Sequence, residues 1–389
     1  MARPLRIFLC CQQDLGTRHP VPAYDFWAGY FRAACAEAGH ECLEAPGCDW
    51  AAGLVARPAV EHAAWLESTW SRALDWLKRE HTRQPVDWFL GYLFPTQVLS
   101  GALAELRAVG IPSVNFFCDH VRLFRRVPGE FRSFDLHWVP EAAALPLYAR
   151  AGLPALAAPM ACWVPPAYRT LPDRETLPPT FVGTRDETRE RLFAAAFALG
   201  LEADLRGHGW DGAVGAPSPR GQGGRAVLNQ WNYARQHGTA AAARKILRTV
   251  FPPVSVKFDF APRVRPMPGA DYWLVLRESR VCLGVNRFPS LRFPLDRPGA
   301  YSRLRDIEAP MTGACYLTEW APGLDQLYDP GREIEVYRDA AELVEKCRAL
   351  DRDPARRAAL RAAGQRRALT DHTIARTLER IADHLGCVR

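Results

Sequence analysis

Short, uninterrupted apolar runs alternate with segments of helical periodicity along most of the chain. The first run, LRIFLCC (5–11), is followed by a polar loop (12–25) and a helical pattern (26–38), and a second predicted strand begins at Glu41. Uninterrupted apolar runs are typical of strands that are buried on both faces of a parallel sheet. Strand, helix and strand in this order predict a βαβ unit, with the loop after the first strand at the carboxyl edge of the sheet.

The same alternation continues through the first half of the chain. A tryptophan-rich amphipathic segment (59–80) precedes the run VDWFLGYLF (86–94), and helical patterns over 97–109 and 141–152 precede further apolar runs. We interpret the tryptophans as packing residues rather than as a sugar-binding platform. Since no hairpin signal separates the runs, the predicted fold class is α/β with mostly parallel, doubly wound sheets.

A proline-rich break divides the chain. Residues 162–179 hold five prolines and little periodicity, which predicts a linker over 166–179. The linker separates a first domain, 1–165, from a second domain, 180–370, in which the alternation of strand and helix starts again. Each predicted domain is long enough to bury a core of its own.

Two segments stand apart from this alternation. Residues 211–270 begin with a Gly- and Pro-rich run and are predicted to be an insertion in the second domain, either a surface elaboration or a lid. Residues 371–389 carry a final amphipathic pattern, and we predict that this helix packs back on the first domain. Asp339 and Glu342 form a capping-box pattern, and Pro354 indicates the start of the next helix.

The composition is that of a globular protein. Of the 389 residues, 48% are hydrophobic and 24% are charged. No segment approaches the about 18 consecutive apolar residues that a membrane span needs, and the segment before the first apolar run is too short for a secretory signal. The eleven cysteines are scattered and never form a CxxC pair, which predicts reduced thiols in a cytoplasmic protein and disfavours cysteine-bound metal.

The charge balance is mildly basic. The formal net charge is +7, from 50 basic and 43 acidic residues. This excess fits an anionic nucleotide donor, an acidic acceptor or nucleic acid, and most of the arginines are expected on solvated helix faces. The sequence has no basic run with interleaved aromatic residues, so nucleic-acid binding is not favoured.

The stretch YSRLRDIEAPMTGACYLTEW (301–320) concentrates the candidate chemistry. Ser302 fits a helix N-cap with Arg303 and Arg305 in the first turn, and Gly313 fits the end of the helix. The unpaired N–H groups of a helix start, together with two guanidinium groups, suit a diphosphate. The local pattern alone fits an ordinary connection with solvated arginines equally well.

Several segments resemble one known family. They are NFFCDH and FDLHWVPEAAALPLYARAG in the first half, and FVGTRDETRERL, LRGHGW, YSRLRDIEAPMTGACYLTE, LYDPGREIEVYRDAAELVEKCRAL and DHTIARTLERI in the second. In these segments the chain resembles the CgeB-like (spore maturation protein) family of predicted glycosyltransferases. The resemblance implies the GT-B architecture, in which two Rossmann-like domains face a cleft, and a relation to the family 4 retaining glycosyltransferases.

The resemblance also implies roles for individual residues. Glu308 corresponds to the second of a pair of glutamates in related transferases and would accept hydrogen bonds from the ribose hydroxyls, or else it pairs with Arg305 on a helix surface. The first glutamate of the pair falls at Ala300, which leaves the donor sugar and the stereochemical outcome open. Pro310 does not suit a helix capped at Ser302 and favours a start nearer Arg305.

Basic residues after the first strand of the second domain complete the implied donor site. Arg185 and Arg189 would face the diphosphate and stabilise its departure, unless they pair with neighbouring acids such as Asp186 and Glu187. Gly183 allows the backbone to approach a ligand closely. The predicted donor-binding residues are Gly183, Arg185, Arg189, Tyr301, Ser302, Arg303, Arg305 and Glu308.

Candidate residues of the first domain lie at the carboxyl edge of its sheet. Asp119 and His120 end a predicted strand and are candidates for the catalytic base or for a contact to the donor sugar. The alternative for the pair is a helix N-cap and a structural histidine. The loop after the first strand supplies a second set, for acceptor or sugar: Gly16, His19, Tyr24 and Asp25.

These features predict a glycosyltransferase that moves a sugar from a nucleoside diphosphate sugar, with a UDP-sugar foremost, to an unknown acceptor in the cleft between the domains. No metal and no other cofactor are expected, since Asp351 and Asp353 lie between helices rather than at a strand end. Two alternatives stay open on the same fold: a nucleotide-sugar epimerase or hydrolase, and a non-catalytic binding protein.

Overall fold

The computed structural model describes residues 3–11, 23–210, 243–245, 247, 256–266 and 269–387. The chain folds as two compact units. The first contains Met1–His120, Arg126–Trp163 and Thr370–Arg389, and the second contains Val121–Arg125 and Val164–Leu369. The main division thus follows Trp163, and the segment predicted as a linker lies inside the second unit. Most of the predicted insertion lies outside the described residues.

The first unit is built on a six-stranded parallel sheet. In their spatial order the strands are β2 (Glu41–Leu43), β1 (Arg6–Cys10), β3 (Trp88–Gly91), β4 (Ser113–Phe116), β5 (Leu136–Val139) and β6 (Ala155–Ala157). The helices between them are α1 (Ala23–Glu37), α2 (Ala59–Arg83), α3 (Ser100–Ala108), α4 (His120–Leu123) and α5 (Leu145–Ala151). The strand order reverses between β1 and β3, and open α/β sheets bind ligands at the carboxyl ends of such strands.

The core of the first unit forms where the apolar runs were predicted. All five residues of β1 are buried. Trp70 of α2 stacks on Phe89 of β3, with ring centroids 5.6 Å apart. Its indole Nε1–H donates a hydrogen bond to the carbonyl oxygen of Gln97 at 2.8 Å. Trp70 is therefore a packing residue, as predicted.

The second unit is built on another six-stranded parallel sheet. In their spatial order the strands are β14 (Glu335–Tyr337), β13 (Tyr316–Glu319), β10 (Cys282–Gly284), β7 (Thr180–Val182), β8 (Asp204–Arg206) and β9 (Val264–Arg265). The helices are α6 (Glu187–Ala198), α7 (Tyr272–Glu278), α8 (Arg305–Met311), α9 (Leu324–Leu327), α10 (Ala340–Arg352) and α11 (Pro354–Asp371). The two parallel sheets confirm the predicted α/β fold class.

The last helix, α12 (Ile374–Leu385), belongs to the first unit. It packs against α1. Arg380 donates from Nη2 to the carbonyl oxygen of Ala157, at the end of β6, at 2.6 Å. The chain therefore returns to the first unit after it completes the second.

A small hairpin interrupts a segment that the sequence presents as a loop. Strands β11 (Arg287–Phe288) and β12 (Gly299–Ala300) pair in antiparallel fashion, with Arg287 opposite Ala300. Gly299 is required there, because a Cβ atom at this position would lie 2.6 Å from the ring of Phe293. The hairpin lies beside α6 and helps to shape the site described below.

Two predicted helix starts are confirmed. The carboxylate of Asp339 accepts hydrogen bonds from the N–H groups of Ala341 and Glu342, and Glu342 accepts from the N–H of Arg338 at 2.9 Å. Helix α11 begins at Pro354. Across the described part of the chain, no helix is long and apolar enough to cross a membrane, and no cluster of three or more His, Cys, Asp or Glu side chains suits a metal ion.

Candidate functional site

Helix α8 begins at Arg305 rather than three residues earlier. Its N-cap is Leu304, which has helical backbone angles and makes no side-chain capping bond. The predicted N-cap role of Ser302 is therefore wrong, and the position of Pro310 near the end of a seven-residue helix agrees with the later start. Gly313, with φ 71°, ends the helix as predicted.

A buried carboxylate explains the shifted helix start. Asp306 is fully buried and accepts hydrogen bonds from Asn286 Nδ2 at 2.9 Å, Tyr316 OH at 2.7 Å and Thr318 Oγ1 at 3.0 Å. It also accepts from the backbone N–H of Arg303 at 3.2 Å. That N–H group was predicted to meet a diphosphate and is occupied instead. Burial raises the pKa of Asp306, against the hydrogen bonds that favour its ionised form.

Asp306 also fixes the geometry around it. It ties the start of α8 to the end of β10 and to β13, and therefore holds the neighbouring arginines in place. Sequence reasoning did not select this residue. The available signal was an acidic side chain beside Ile307, within a helix that is otherwise apolar on that side.

In the second unit Arg189 lies near two arginines, Arg303 and Arg305, from one short stretch more than a hundred residues later in the chain. Burial lowers the pKa of Arg189 to about 10, and the nearby positive charges of Arg303 and Arg305 contribute to that shift, against the attraction of Asp186. Within the described residues, the buried Nε groups of Arg189 and Arg303 and the Nη1 group of Arg305 donate no hydrogen bond. Like charges with buried unsatisfied donors are costly unless an anion joins them.

Local contacts hold Arg189 in this position. Its Nη1 donates to the carbonyl oxygen of Thr184 at 2.8 Å, and its Nε lies 3.4 Å from a carboxylate oxygen of Asp186. The guanidinium carbon lies 5.5 Å from the ring centroid of Phe181. Asp186 is also the N-cap of α6. The pairing of Arg189 with Asp186 that the sequence allowed is therefore present, although it leaves donors of Arg189 unused.

Arg185 pairs with a neighbouring acid, and its predicted contact to the diphosphate stays a prediction. Its guanidinium lies 3.2 Å from Glu190 and over the rings of Trp210 and Phe260, at 6.0 and 5.3 Å from their centroids. Its backbone N–H donates to the carbonyl oxygen of His208 at 2.8 Å. Arg185 therefore stabilises the turn after β8 and does not pair with Asp186 in this structure.

Gly183 lies where two loops pass very close to each other. Its carbonyl oxygen accepts a hydrogen bond from Trp210 Nε1 at 2.8 Å. A Cβ atom at Gly183 would lie 2.7 Å from the ring of Phe181. A Cβ atom at Gly207, where φ is 143°, would lie 2.1 Å from the carbonyl oxygen of Gly183. The close backbone approach thus requires a glycine at position 207, whereas the side chain of Phe181 leaves no room for a larger residue at position 183.

Glu308 forms a compact group with an aromatic residue and an arginine. It is 4% exposed, and its Oε2 atom accepts a hydrogen bond from Tyr272 OH at 2.7 Å. Nε of Arg305 lies 3.3 Å from the same oxygen, and the guanidinium carbon lies 4.9 Å from the ring centroid of Tyr272. Burial opposes the charge on Arg305, yet Tyr272 and Glu308 raise its pKa above the ordinary value. Sequence reasoning missed Tyr272, which follows the insertion.

A second ion pair supports the hairpin. Glu319 accepts from the backbone N–H groups of Asn286 and Arg287 at 3.1 and 2.9 Å, and from Arg287 Nε at 2.7 Å. Arg287 and Glu319 line a cavity of about 620 Å³, together with Arg191, Ala300, Trp320 and Arg338. The carbonyl oxygen of Arg287 accepts from Arg303 Nη2 at 3.3 Å. The cavity therefore adjoins the arginine cluster, and Tyr301 lies under the guanidinium of Arg303, 5.1 Å from its ring centroid.

In the first unit, His120 occupies a core position. It is fully buried, its Nε2 forms a hydrogen bond with Tyr148 OH, and its ring packs edge-on against Phe117 and Phe131. Burial lowers the pKa of His120 to about 3, with a further contribution from His137. These surroundings match the structural alternative for His120. The catalytic role predicted for Asp119, which is half-buried, stays a prediction.

The other candidates of the first unit are not described as side chains. Gly16 and His19 lie outside the described residues. Tyr24 and Asp25 belong to the first turn of α1, and the described side chains of that helix begin after them. The predicted acceptor or sugar role of these four residues stays a prediction.

Comparisons with known proteins agree with this architecture. Residues 189–383 match the family model described as "Glycosyl transferase-like". No curated protein matches the chain in sequence. The chain is similar in structure to sucrose-phosphate synthase from Thermosynechococcus elongatus, with a TM-score of 0.55, 14% identity and coverage of 99% of this chain and 100% of that one.

Two further solved structures show the same similarity. Anabaena HepE, solved in complex with UDP, has a TM-score of 0.54 and 12% identity over 98% of this chain and 100% of that one. A UDP-forming trehalose-phosphate synthase from Burkholderia vietnamiensis has a TM-score of 0.53 and 12% identity over 99% of each chain. At these identities the likeness shows the fold, and it confirms the predicted GT-B class.

Proposed function

The chain belongs to the glycosyl transferase-like family, and from that premise we propose that it transfers a sugar from a UDP-sugar, with the donor held by the second unit. Transferase activity, as predicted, follows from the family. Within the family we place the chain in the CgeB-like branch, on the segments that resemble it. The observation that carries the donor site is the convergence of Arg189, Arg303 and Arg305 with buried, unused N–H donors.

A diphosphate satisfies this cluster better than water does. Its oxygens carry two or more negative charges and accept several hydrogen bonds at once, which suits a group of several guanidinium side chains. When the sugar leaves, negative charge grows on the diphosphate. Fixed positive groups then stabilise the transition state more than the ground state. The arginines supply this charge themselves, so the proposal includes no metal ion.

Glu308 is proposed to bind the ribose. A carboxylate accepts hydrogen bonds from two neighbouring hydroxyls, and burial keeps it from exchanging them freely with water. Tyr272 and Arg305 fix the carboxylate before the ligand arrives. The acceptor of the sugar is not identified by these residues. A cytoplasmic location is also proposed, supported by the eleven free cysteines.

Calorimetry with UDP, GDP, ADP and dTDP tests the donor site. We expect UDP to bind, and Glu308→Ala and Arg305→Ala to weaken its binding by at least about tenfold, the usual loss for a charge-assisted hydrogen bond. Arg332→Ala serves as the control, because that side chain is 83% exposed. Absence of binding by all four nucleotides, or unchanged affinity in both site variants, contradicts the proposal.

A further inference from the structure

Two cysteines of the first unit lie with their thiols in contact. Cys35 lies in the last turn of α1, and Cys42 is the middle residue of β2. The thiol of Cys42 donates a hydrogen bond to the sulfur of Cys35. We propose that the two cysteines form an oxidation site, at which a peroxide converts the pair into a disulfide and a thiol reductant restores it. Both belong to the first unit, so this inference is independent of the proposed donor site.

The local fold brings the pair together. Gly39, with φ 73°, ends α1, and the backbone N–H of His40 donates to the carbonyl oxygen of Cys35 at 2.8 Å. Helix α1 packs against β2, which is the edge strand of the sheet. Since the side chains of a strand alternate between its faces, Cys42 lies on the opposite face from the residues beside it and meets the helix. The two sulfur atoms therefore have to move only from contact distance to the about 2.05 Å of a disulfide.

The pair is open to a small oxidant from one side. Nine of the eleven cysteines are buried, among them Cys35, whereas Cys42 is half-buried at the edge of the sheet. The other half-buried cysteine, Cys387, donates to the carbonyl oxygen of Asp87 at 3.8 Å rather than to a thiol. Cys42 thus offers an oxidant both a reachable sulfur and a second sulfur beside it.

The hydrogen bond between the thiols favours one ionisation of the pair. It lowers the pKa of Cys35, against the effect of burial, because it stabilises the thiolate that accepts it. It raises the pKa of Cys42, whose proton is held in the bond. Arg32 lies near Cys42 and favours its thiolate, although Glu44, which pairs with Arg32 at 2.6 and 2.8 Å, opposes it. By contrast, burial raises the pKa of Cys10.

The reaction consumes one peroxide for each disulfide. In the singly ionised pair the shared proton moves to Cys35, and the sulfur of Cys42 attacks one oxygen of hydrogen peroxide. The O–O bond breaks, which leaves a sulfenic acid on Cys42 and releases hydroxide. That hydroxide takes the proton of Cys35 and becomes water, and the sulfur of Cys35 then attacks the sulfur of Cys42 and expels a second hydroxide. The two sulfurs lose two electrons in total, which the peroxide accepts.

The disulfide is expected to be a temporary state of the protein. All eleven cysteines are free thiols in the structure, so the reduced pair is the form that the folded chain holds. Disulfides that form in a reducing compartment are usually transient and report oxidation. A half-buried sulfur at a sheet edge also leaves the disulfide open to attack by a thiol reductant.

Mass spectrometry of the full chain after brief treatment with hydrogen peroxide tests the proposal. A protease that cuts after glutamate separates the two cysteines, because Glu37 and Glu41 lie between them. We expect the peptide with Cys35 to be joined to the peptide with Cys42, and dithiothreitol to release the link. In time courses, Cys42 should lose its free thiol at least about tenfold faster than Cys387, because the pair supplies a thiolate.

Two variants separate the pair from its surroundings. Cys35→Ser should give no link and should leave a sulfenic acid on Cys42 that dimedone traps, whereas Cys387→Ser should keep the link at the wild-type rate. The digest of the wild-type chain decides the question even if Cys35→Ser does not fold. A sulfinic acid on Cys42 without a link, a link from Cys42 to another cysteine, or equal reaction rates at Cys42 and Cys387 would overturn the inference.

Discussion

Tyr272 donates a hydrogen bond to Oε2 of Glu308 at 2.7 Å, although the two residues are 36 positions apart in the chain. The same oxygen is 3.3 Å from Nε of Arg305. A carboxylate held from two sides before the ligand arrives loses little freedom when it binds. Tyr272 thus holds Glu308 in the orientation in which we propose that Glu308 contacts the ribose.

Replacement of this tyrosine should change nucleotide recognition. In Tyr272→Phe the hydrogen bond is lost, and we expect UDP affinity to fall about fivefold, the effect of a hydrogen bond worth about 1 kcal/mol. The preference for UDP over 2′-deoxy-UDP should shrink as well, because Glu308 is then held less firmly. Calorimetry with both nucleotides measures this, and Tyr168→Phe is the matched control. Equal preference in wild type and Tyr272→Phe contradicts the positioning role.

The arginine cluster is expected to favour UDP binding and to lower the stability of the ligand-free protein. Burial and the nearby charges of Arg303 and Arg305 destabilise the charged form of Arg189. We expect Arg189→Gln to keep or raise the melting temperature of the ligand-free protein, and to weaken UDP binding by at least about tenfold. Thermal unfolding with and without UDP tests both parts. A lowered melting temperature with unchanged UDP affinity would show that Arg189 is structural.

Two buried histidines should make the first unit sensitive to acid. Burial lowers the pKa of His120 to about 3 and that of His137 to about 4, from an ordinary value of 6.5. The unfolded chain therefore takes up protons first as the pH falls. The stability contributed by the neutral histidines is complete above pH 6.5 and decreases toward pH 4, by up to about 1.4 kcal/mol per pH unit for each histidine.

Urea unfolding at several pH values between 7.5 and 4.5, roughly the span of the histidine titration, measures this dependence. His137 packs between the rings of Phe131 and Tyr148, so His137→Phe should fold and should flatten the curve. His384→Gln, at an exposed position of α12, should leave it unchanged. If His137→Phe has the same pH dependence of stability as wild type, His137 does not cause the loss of stability in acid.

One arginine of α11 should be essential for the stability of the second unit. Arg361 is 4% exposed and donates hydrogen bonds to the carbonyl oxygens of Arg277 at 2.8 Å, Gly313 at 2.9 Å and Ser279 at 2.6 Å. It also pairs with Glu175. Arg361→Ala leaves these acceptors buried without donors, and we expect a loss of about 3–5 kcal/mol in the free energy of unfolding.

Urea unfolding of that variant is compared with Arg366→Ala, an exposed arginine on the same helix. The control should lie within about 0.5 kcal/mol of wild type. If the two variants unfold alike, the carbonyl contacts of Arg361 contribute little. Because Arg361 binds the residue that ends α8, its loss is also expected to loosen the donor site.

Much of the fold could be predicted from the sequence because buried parallel strands and helix caps have local sequence patterns. The apolar runs at β1, β3, β7 and β10 marked the two sheets, and the polar pattern at Asp339 and Glu342 marked a helix start. The sequence also selected Glu308, Arg303 and Arg305, since all three lie in one short stretch. Each of these features depends on neighbours within a few residues along the chain.

Tertiary structure decided what the local pattern left open. Ser302 is a residue type that often caps helices, yet the helix starts at Arg305, where Asp306 binds Tyr316 of β13 and Asn286, which follows β10. Arg189 meets Arg303 across more than a hundred residues, and Tyr272 reaches Glu308 from another helix. Such contacts between distant residues depend on the order of the strands in the sheet. The free energy of burying charged side chains depends on partners that lie far away in the sequence, so no short segment of the sequence reveals it.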